Sequence, residues 1–207
     1  HNLRFIVDAM SSFGAVDVNV AELGIDFLIS SANKCIQGVP GFSFIIARRE
    51  ALTATEGNAR TISLDLHSQW KTMEKDNGKW RFTSPTHVVA AFAQALKELQ
   101  QEGGVTVRGE RYAATNRKLR EGMRTLGFEP FVSEAFQGPI ITTFLYPEGR
   151  NLDFKHTHHW LKEQGYVIYP GKLTDRDTFR IGNIGEIYDA DADRILELFA
   201  QYTKEFM

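Results

Sequence analysis

The chain is 207 residues long, 43% hydrophobic and 24% charged, with a formal net charge of -2, which is enough apolar material for a full core in one large domain or two modest ones. This near-neutral balance supplies no basic face for nucleic acid or for an anionic membrane, and the longest apolar runs, FSFIIA and FLIS, fall far short of the roughly 20 residues that cross a bilayer. A single cysteine, Cys35, excludes an intrachain disulfide and, with no signal peptide ahead of the first apolar run, is what a reducing cytoplasm predicts.

The chain opens on His1 rather than Met and runs directly into RFIVDAM, which predicts a further segment upstream. RFIVDAM reads as a continuous apolar strand ending in Asp8, and IDFLISSAN as a second one ending just before Lys34; unbroken apolar runs of this length predict strands buried on both faces. GFSFIIARR reads as a third strand, entered through a tight turn at Gly38, Pro40 and Gly41. Ser84 and Pro85 supply an N-cap and a first-turn proline for a helix over HVVAAFAQALKELQQ, closed by Gly103 and Gly104. A second helix runs to about Leu126. From Gly127 the pattern changes to strands, FEPFV, ITTFLYP, YVIYP and TFRIGNIG, interleaved with the helices DFKHTHHWLKEQ and DADADRILELFAQYTKEF. The acidic DADAD run suits a helix N-terminus. The fold class expected is therefore α/β, with a mixed sheet over residues 1–103 and a linking helix with a smaller α+β domain over 104–207.

Two charged residues stand at the ends of two buried strands, and in open α/β sheets ligands bind at the carboxyl ends of the strands. Asp8 and Lys34 could form an ion pair. Alternatively, a lysine amine condenses with the aldehyde of pyridoxal phosphate, while a carboxylate keeps the cofactor's ring nitrogen protonated so that the ring draws electrons. A strand ending in Asp, a strand followed by Ser-x-x-Lys, and a glycine-rich turn are what the second arrangement requires.

The segments VDAMSSFG, SSANKCIQGVPG, RFTSPTHVV and FRIGNIG together resemble the 2-aminoethylphosphonate:pyruvate aminotransferases, members of the fold-type I class of pyridoxal-phosphate enzymes. SSANKCIQGVPG is specific to that group, whereas VDAMSSFG marks the wider class that includes alanine:glyoxylate aminotransferases. The resemblance runs the whole length of this chain but covers only the later part of the family's chain, leaving out the turn that cradles the cofactor phosphate and the aromatic residue that stacks on its ring. It implies Lys34 as the Schiff-base lysine, Asp8 as the partner of the pyridine nitrogen, Thr83 as a residue reaching the cofactor phosphate of the other subunit in a homodimer, and Arg180 as the arginine that holds the substrate's acid group. Arginine suits that task because its planar fork gives two parallel hydrogen bonds to a phosphonate or carboxylate. The implied reaction moves an amino group from 2-aminoethylphosphonate to pyruvate; the alternatives are an alanine:glyoxylate-type aminotransferase, or an inactive fragment if the polypeptide ends where this chain does.

Read without the resemblance, Thr83 is an ordinary helix-entry residue and Arg180 a surface or ion-paired arginine. Cys35 has no histidine in a triad position and reads as a small buried packing residue. His156, His158 and His159 lack the i, i+4 pair of helical zinc motifs, so they read as a solvated helix face rather than metal ligands. Gly38, Gly41, Gly182 and Gly185 form no dinucleotide fingerprint and read as turns and close backbone approaches.

Overall fold

The computed structural model describes residues 3–150, 152–171 and 175–207; His1 lies outside them. The chain separates into two compact units, 1–106 and 107–207.

The first unit is built on a three-stranded sheet in the order β1-β2-β3. Strand β1 (Ile6–Asp8) runs parallel to β2 (Phe27–Ser31), with Asp8 level with Ile29, and β2 runs antiparallel to β3 (Ser43–Ala47). The centre strand is apolar on both sides because both are covered. Leu28 packs with Ala9 and Ile25 on one face, and Phe27 packs with Ala51 and Leu52 on the other. The expectation that RFIVDAM is buried along its length is corrected. Phe5 and Ile6 are exposed, since β1 is an edge strand paired on one side only. Ile45 and Ile46 on the other edge are exposed for the same reason.

Two short helices fill the segment that had no predicted structure. Helix α1 (Arg49–Thr53) follows β3 directly, and α2 (Leu66–Lys75) starts at Asp65, whose carboxylate accepts from the Ser68 N–H at 2.9 Å. Helix α3 (Thr86–Glu102) ends at Gly103 in the left-handed conformation, φ 114°, which glycine alone adopts without steric cost. The predicted cap at its start is corrected: Pro85 occupies the cap position without a side-chain hydrogen bond, and Ser84 contributes only its carbonyl to the Thr86 N–H.

Helix α4 (Gly104–Thr125) leads into the second unit, followed by β4 (Ile141–Leu145), α5 (Phe154–Glu163), β5 (Tyr169–Pro170), β6 (Thr178–Gly182) and α6 (Asp189–Phe206). The sheet order is β4-β6-β5, antiparallel throughout. Phe128, Phe144, Phe179 and Phe199 form its aromatic core, with ring centroids 5.5 to 5.7 Å apart. Two predicted strands are shorter than expected, and in each the proline lies among the residues that still pair. FEPFV is reduced to a bridge between Pro130 and Phe144, and YVIYP to the two residues of β5. The acidic start of α6 behaves as anticipated, Asp191 accepting from the Tyr188 N–H at 2.9 Å.

A buried amide network sets the position of β6. Asn183 is fully buried; its amide donates to the Tyr112 carbonyl at 3.0 Å and the Pro139 carbonyl at 2.9 Å, and its side-chain oxygen accepts from Asn116 at 3.0 Å. Asn116 also donates to Thr142 on β4 at 3.0 Å and accepts from Arg120 at 2.9 Å. Asn183→Ala leaves two buried carbonyls short of a donor, and the expected loss is roughly 2 kcal/mol or more of stability, readable as a lower denaturant midpoint; an unchanged midpoint would rule out this network as a determinant of the fold.

In the first unit the corresponding pin is Asp26. Its carboxylate accepts from the Phe5 N–H at 2.9 Å, is ion-paired to Arg48 and lies 3.8 Å from Arg4, although its side chain is only 5% exposed. These contacts, the Phe5 N–H foremost and the Arg48 guanidinium after it, outweigh burial and hold the carboxyl below its ordinary range. A carboxylate with a depressed folded pKa stabilises the fold above its unfolded pKa, near 3.9, and that contribution is lost as pH falls through the folded value. Acid titration followed by circular dichroism should therefore show a loss of structure below about pH 4 that is shallower in Asp26→Asn, which is also less stable at neutral pH.

Candidate functional site

Parallel pairing of β1 with β2 brings their carboxyl ends to the same edge of the sheet, so Asp8 and the turn that follows Ser31 share that edge. Asp8 is the last residue of β1, and its carboxylate accepts from the Met10 N–H at 2.9 Å. The segment beyond it is tied to β2, since the Ser30 hydroxyl donates to the Ala9 carbonyl at 3.0 Å.

Lys34 stands three residues past β2, exposed, in a turn closed by two backbone hydrogen bonds. Its carbonyl accepts from the Gln37 N–H at 2.8 Å, and the Ala32 carbonyl accepts from the Gly38 N–H at 2.8 Å. Ala32, Cys35 and Ile36 are buried around it, Cys35 with its thiol 3.5 Å from the Ser11 carbonyl. Gln37 takes a left-handed φ of 63° to close the turn, a conformation that is uncommon outside glycine. A Cβ on Gly38 would lie 2.6 Å from the Ala32 carbonyl oxygen, so only glycine permits this approach. The result is a lysine whose backbone is fixed and whose amine is in the open.

The ion pair between Asp8 and Lys34 that their positions allowed is not formed; among the described residues neither charge has an oppositely charged partner within 4.0 Å. Thr83 lies in the exposed loop between Arg81 and α3, and its hydroxyl makes no hydrogen bond among the described residues. Lys34, Asp8 and Thr83 all belong to the first unit.

Arg180 belongs to the second unit, on the central strand β6. Its Nε donates to the Pro170 carbonyl at 3.0 Å and its guanidinium carbon lies 5.7 Å from the centre of the Tyr169 ring. No carboxylate pairs with it among the described residues, which sets it apart from Arg48, Arg120 and Arg124. Arg111, by contrast, is committed to structure, donating to the Gly185 and Ile187 carbonyls with its guanidinium over the Tyr112 and Tyr188 rings.

The three histidines of α5 go separate ways. His156 Nδ1 lies 2.7 Å from the Tyr202 hydroxyl, His158 lies against the Phe154 ring, and His159 faces Glu163 at 3.2 Å. His156 and His159 are exposed, as the reading of a solvated face requires, His156 also bordering the Tyr202 and Phe206 rings, whereas His158 is half-buried. Sequence reasoning missed Gln37, Ser30 and Tyr169. Only the first left a signal, its place inside a turn already marked by Gly38, Pro40 and Gly41; the other two matter through partners distant in sequence.

Residues 1–175 match the family described as aminotransferase class-V. A 2-aminoethylphosphonate–pyruvate transaminase of Bacteroides fragilis is 61% identical over 198 residues, 96% of this chain and 54% of that protein. One from Lysinibacillus sphaericus is 59% identical over 201 residues, 97% of this chain and 54% of that protein. The chain thus spans about half the length of these relatives. Among solved structures, the alanine–glyoxylate aminotransferase of Nostoc sp. superposes with a TM-score of 0.82 at 22% identity, over 96% of this chain and 53% of that one. That likeness fixes the fold as the fold-type I aminotransferase architecture anticipated from the sequence. With its family match covering most of its length, the chain belongs to the class-V aminotransferases.

Proposed function

We propose that the protein is a pyridoxal-phosphate-dependent aminotransferase that moves the amino group of 2-aminoethylphosphonate to pyruvate, yielding phosphonoacetaldehyde and L-alanine. The observation that carries this reading is the amine of Lys34, exposed and, among the described residues, without a carboxylate partner, on a turn at the same sheet edge as the Asp8 carboxylate, which has no cationic partner among them either. The choice of substrates is supported by the names of relatives 56 to 61% identical; the glyoxylate-using neighbour shares only the fold, at 22% identity.

The residues present suit the cofactor. An unpaired amine and an unpaired carboxylate are the two groups that pyridoxal phosphate needs at its aldehyde and at its ring nitrogen. When bound, the cofactor supplies an electron-withdrawing ring to the carbon that bears the migrating amine. Asp8 keeps the proton on the ring nitrogen, because a nearby carboxylate favours the charged form. Lys34 Nζ holds the cofactor at rest and then serves as the base that removes a proton from the amine-bearing carbon of the substrate; with pyruvate it returns a proton to the carbon that becomes Cα of alanine. Arg180 takes the acid group, a phosphonate in one half-reaction and a carboxylate in the other, since both present paired anionic oxygens to its fork. Thr83, on its exposed loop, is assigned to the cofactor phosphate of a second copy in a homodimer. A cytoplasmic location is part of the same proposal; among the described residues no helix is long and apolar enough to cross a membrane.

Borohydride treatment of the complete enzyme loaded with pyridoxal phosphate fixes the cofactor to the lysine that holds it. Peptide mass mapping should place the label on Lys34, and Lys34→Ala should abolish both label and alanine formation from 2-aminoethylphosphonate and pyruvate. Label on another lysine would overturn the assignment, and faster amino transfer to glyoxylate than to pyruvate would move the protein to the other substrate class.

Gly38→Ala tests the turn itself. The added methyl forces the Gly38 backbone away from the Ala32 carbonyl and so opens the turn that carries Lys34, and displacing a reacting group by about 1 Å costs up to roughly 100-fold in rate. Turnover should drop by roughly 10- to 100-fold with the label still on Lys34; unchanged turnover would show that the turn does not position the amine.

A further inference from the structure

The outer face of the second unit's sheet carries a feature that Arg180 alone does not explain. In the strand register Arg180 is paired with Thr143 on β4 and with Tyr169 on β5. Paired residues on neighbouring strands project to the same face, with their Cβ atoms about 5 Å apart. Tyr169, Arg180 and Thr143 therefore form a row across the sheet. The opposite face carries Thr142, Phe144, Phe179 and Ile181, all buried, so the row lies on the side turned away from the core.

The row is preset. Arg180 Nε is held by the Pro170 carbonyl at 3.0 Å and its guanidinium carbon sits 5.7 Å from the Tyr169 ring centre, within reach of a cation–π contact. Gly182, two residues along the same face, borders that ring: a Cβ there would lie in ordinary contact with it, 3.7 Å from Tyr169 Cε2. With Nε engaged, the two terminal nitrogens remain for an anion. The Thr143 hydroxyl, next in the row, makes no hydrogen bond among the described residues.

We propose that Thr143 is a specificity-determining residue of the acid-binding site, its hydroxyl donating to the third oxygen of a phosphonate, with Tyr169 as the positioning residue that holds the guanidinium plane. This rests on the reading of Arg180 as the acid-binding arginine. A planar carboxylate has two oxygens, both satisfied by the guanidinium pair. A tetrahedral phosphonate has a third, directed away from that plane, and it requires a donor to one side. Thr143, paired with Arg180 from the β4 side while Tyr169 holds the guanidinium from the β5 side, is the residue assigned to supply it, so its hydroxyl discriminates between the two acids while Arg180 serves both.

The test is calorimetric titration of the pyridoxal-phosphate-loaded enzyme with ethylphosphonate and with propionate, inert carriers of the two acid groups. Thr143→Val keeps the shape and the strand preference of the residue. It should weaken ethylphosphonate binding about tenfold, the effect of one lost hydrogen bond to a charged group, and change propionate binding less than about twofold. Thr143→Ser should restore the wild-type values. Arg180→Gln should weaken both ligands. Equal weakening of both by Thr143→Val, or no change in either while Arg180→Gln weakens both, overturns the role of Thr143 and leaves Arg180 in place. If Arg180→Gln leaves both unchanged, the acid-binding reading of Arg180 fails and the proposal with it.

Discussion

The first unit depends on one buried carboxylate. Asp26 opens β2 and touches the start of β1 through the Phe5 N–H and the end of β3 through the Arg48 guanidinium, while its own backbone bonds to Phe5 and Arg48 as well. A buried charge is tolerated only when paired and hydrogen-bonded, and here those obligations can be met in one alignment of the three strands. Sliding β1 by one residue would break the Phe5 contact and turn its side chains to the other face. The register fixed at this end of the sheet puts Asp8 level with Ile29 at the other. A structural charge at the amino end thereby places the candidate functional charges at the carboxyl end.

The turn after β2 converts that placement into a usable amine. Lysine is costly to bury, and the chain avoids the cost by burying its neighbours. Ala32, Cys35 and Ile36 anchor the turn, and Lys34 between them points away from the core. The anchoring requires the Gly38 backbone to come against the Ala32 carbonyl, and it holds Gln37 in a left-handed conformation. Strain of this kind persists where the surrounding structure over-determines it.

The second unit solves a parallel problem with neutral groups. Asn183, directly after β6, meets carbonyls from α4 and from the segment before β4, so the strand that carries Arg180 is fixed by amide hydrogen bonds at its end and by aromatic packing under its inner face. Satisfied buried networks of this type favour one arrangement over its neighbours. Arg180 inherits that rigidity on the outer face, where the Pro170 carbonyl and the Tyr169 ring hold its side chain.

By itself the sequence determined what depends on local chemistry. The apolar run of β2, the stop at Gly103, the acidic start of α6 and the ends of β1 and β2 at Asp8 and ahead of Lys34 are each encoded within a few residues. Helix α2 was legible in principle from Asp65 followed by Leu66, Trp70 and Met73 at helical spacing, but its polar surroundings masked the pattern. Tertiary structure decided what depends on residues far apart in the chain. It exposed Phe5 and Ile6 by leaving β1 at an edge, cut YVIYP down to a two-residue strand, and joined Phe5 to Asp26 across 21 positions. It also assembled Tyr169, Arg180 and Thr143 into one row. Periodicity reports which face of an element is apolar, whereas pairing and register arise only when separate elements meet, and no local pattern carries the identity of the partner.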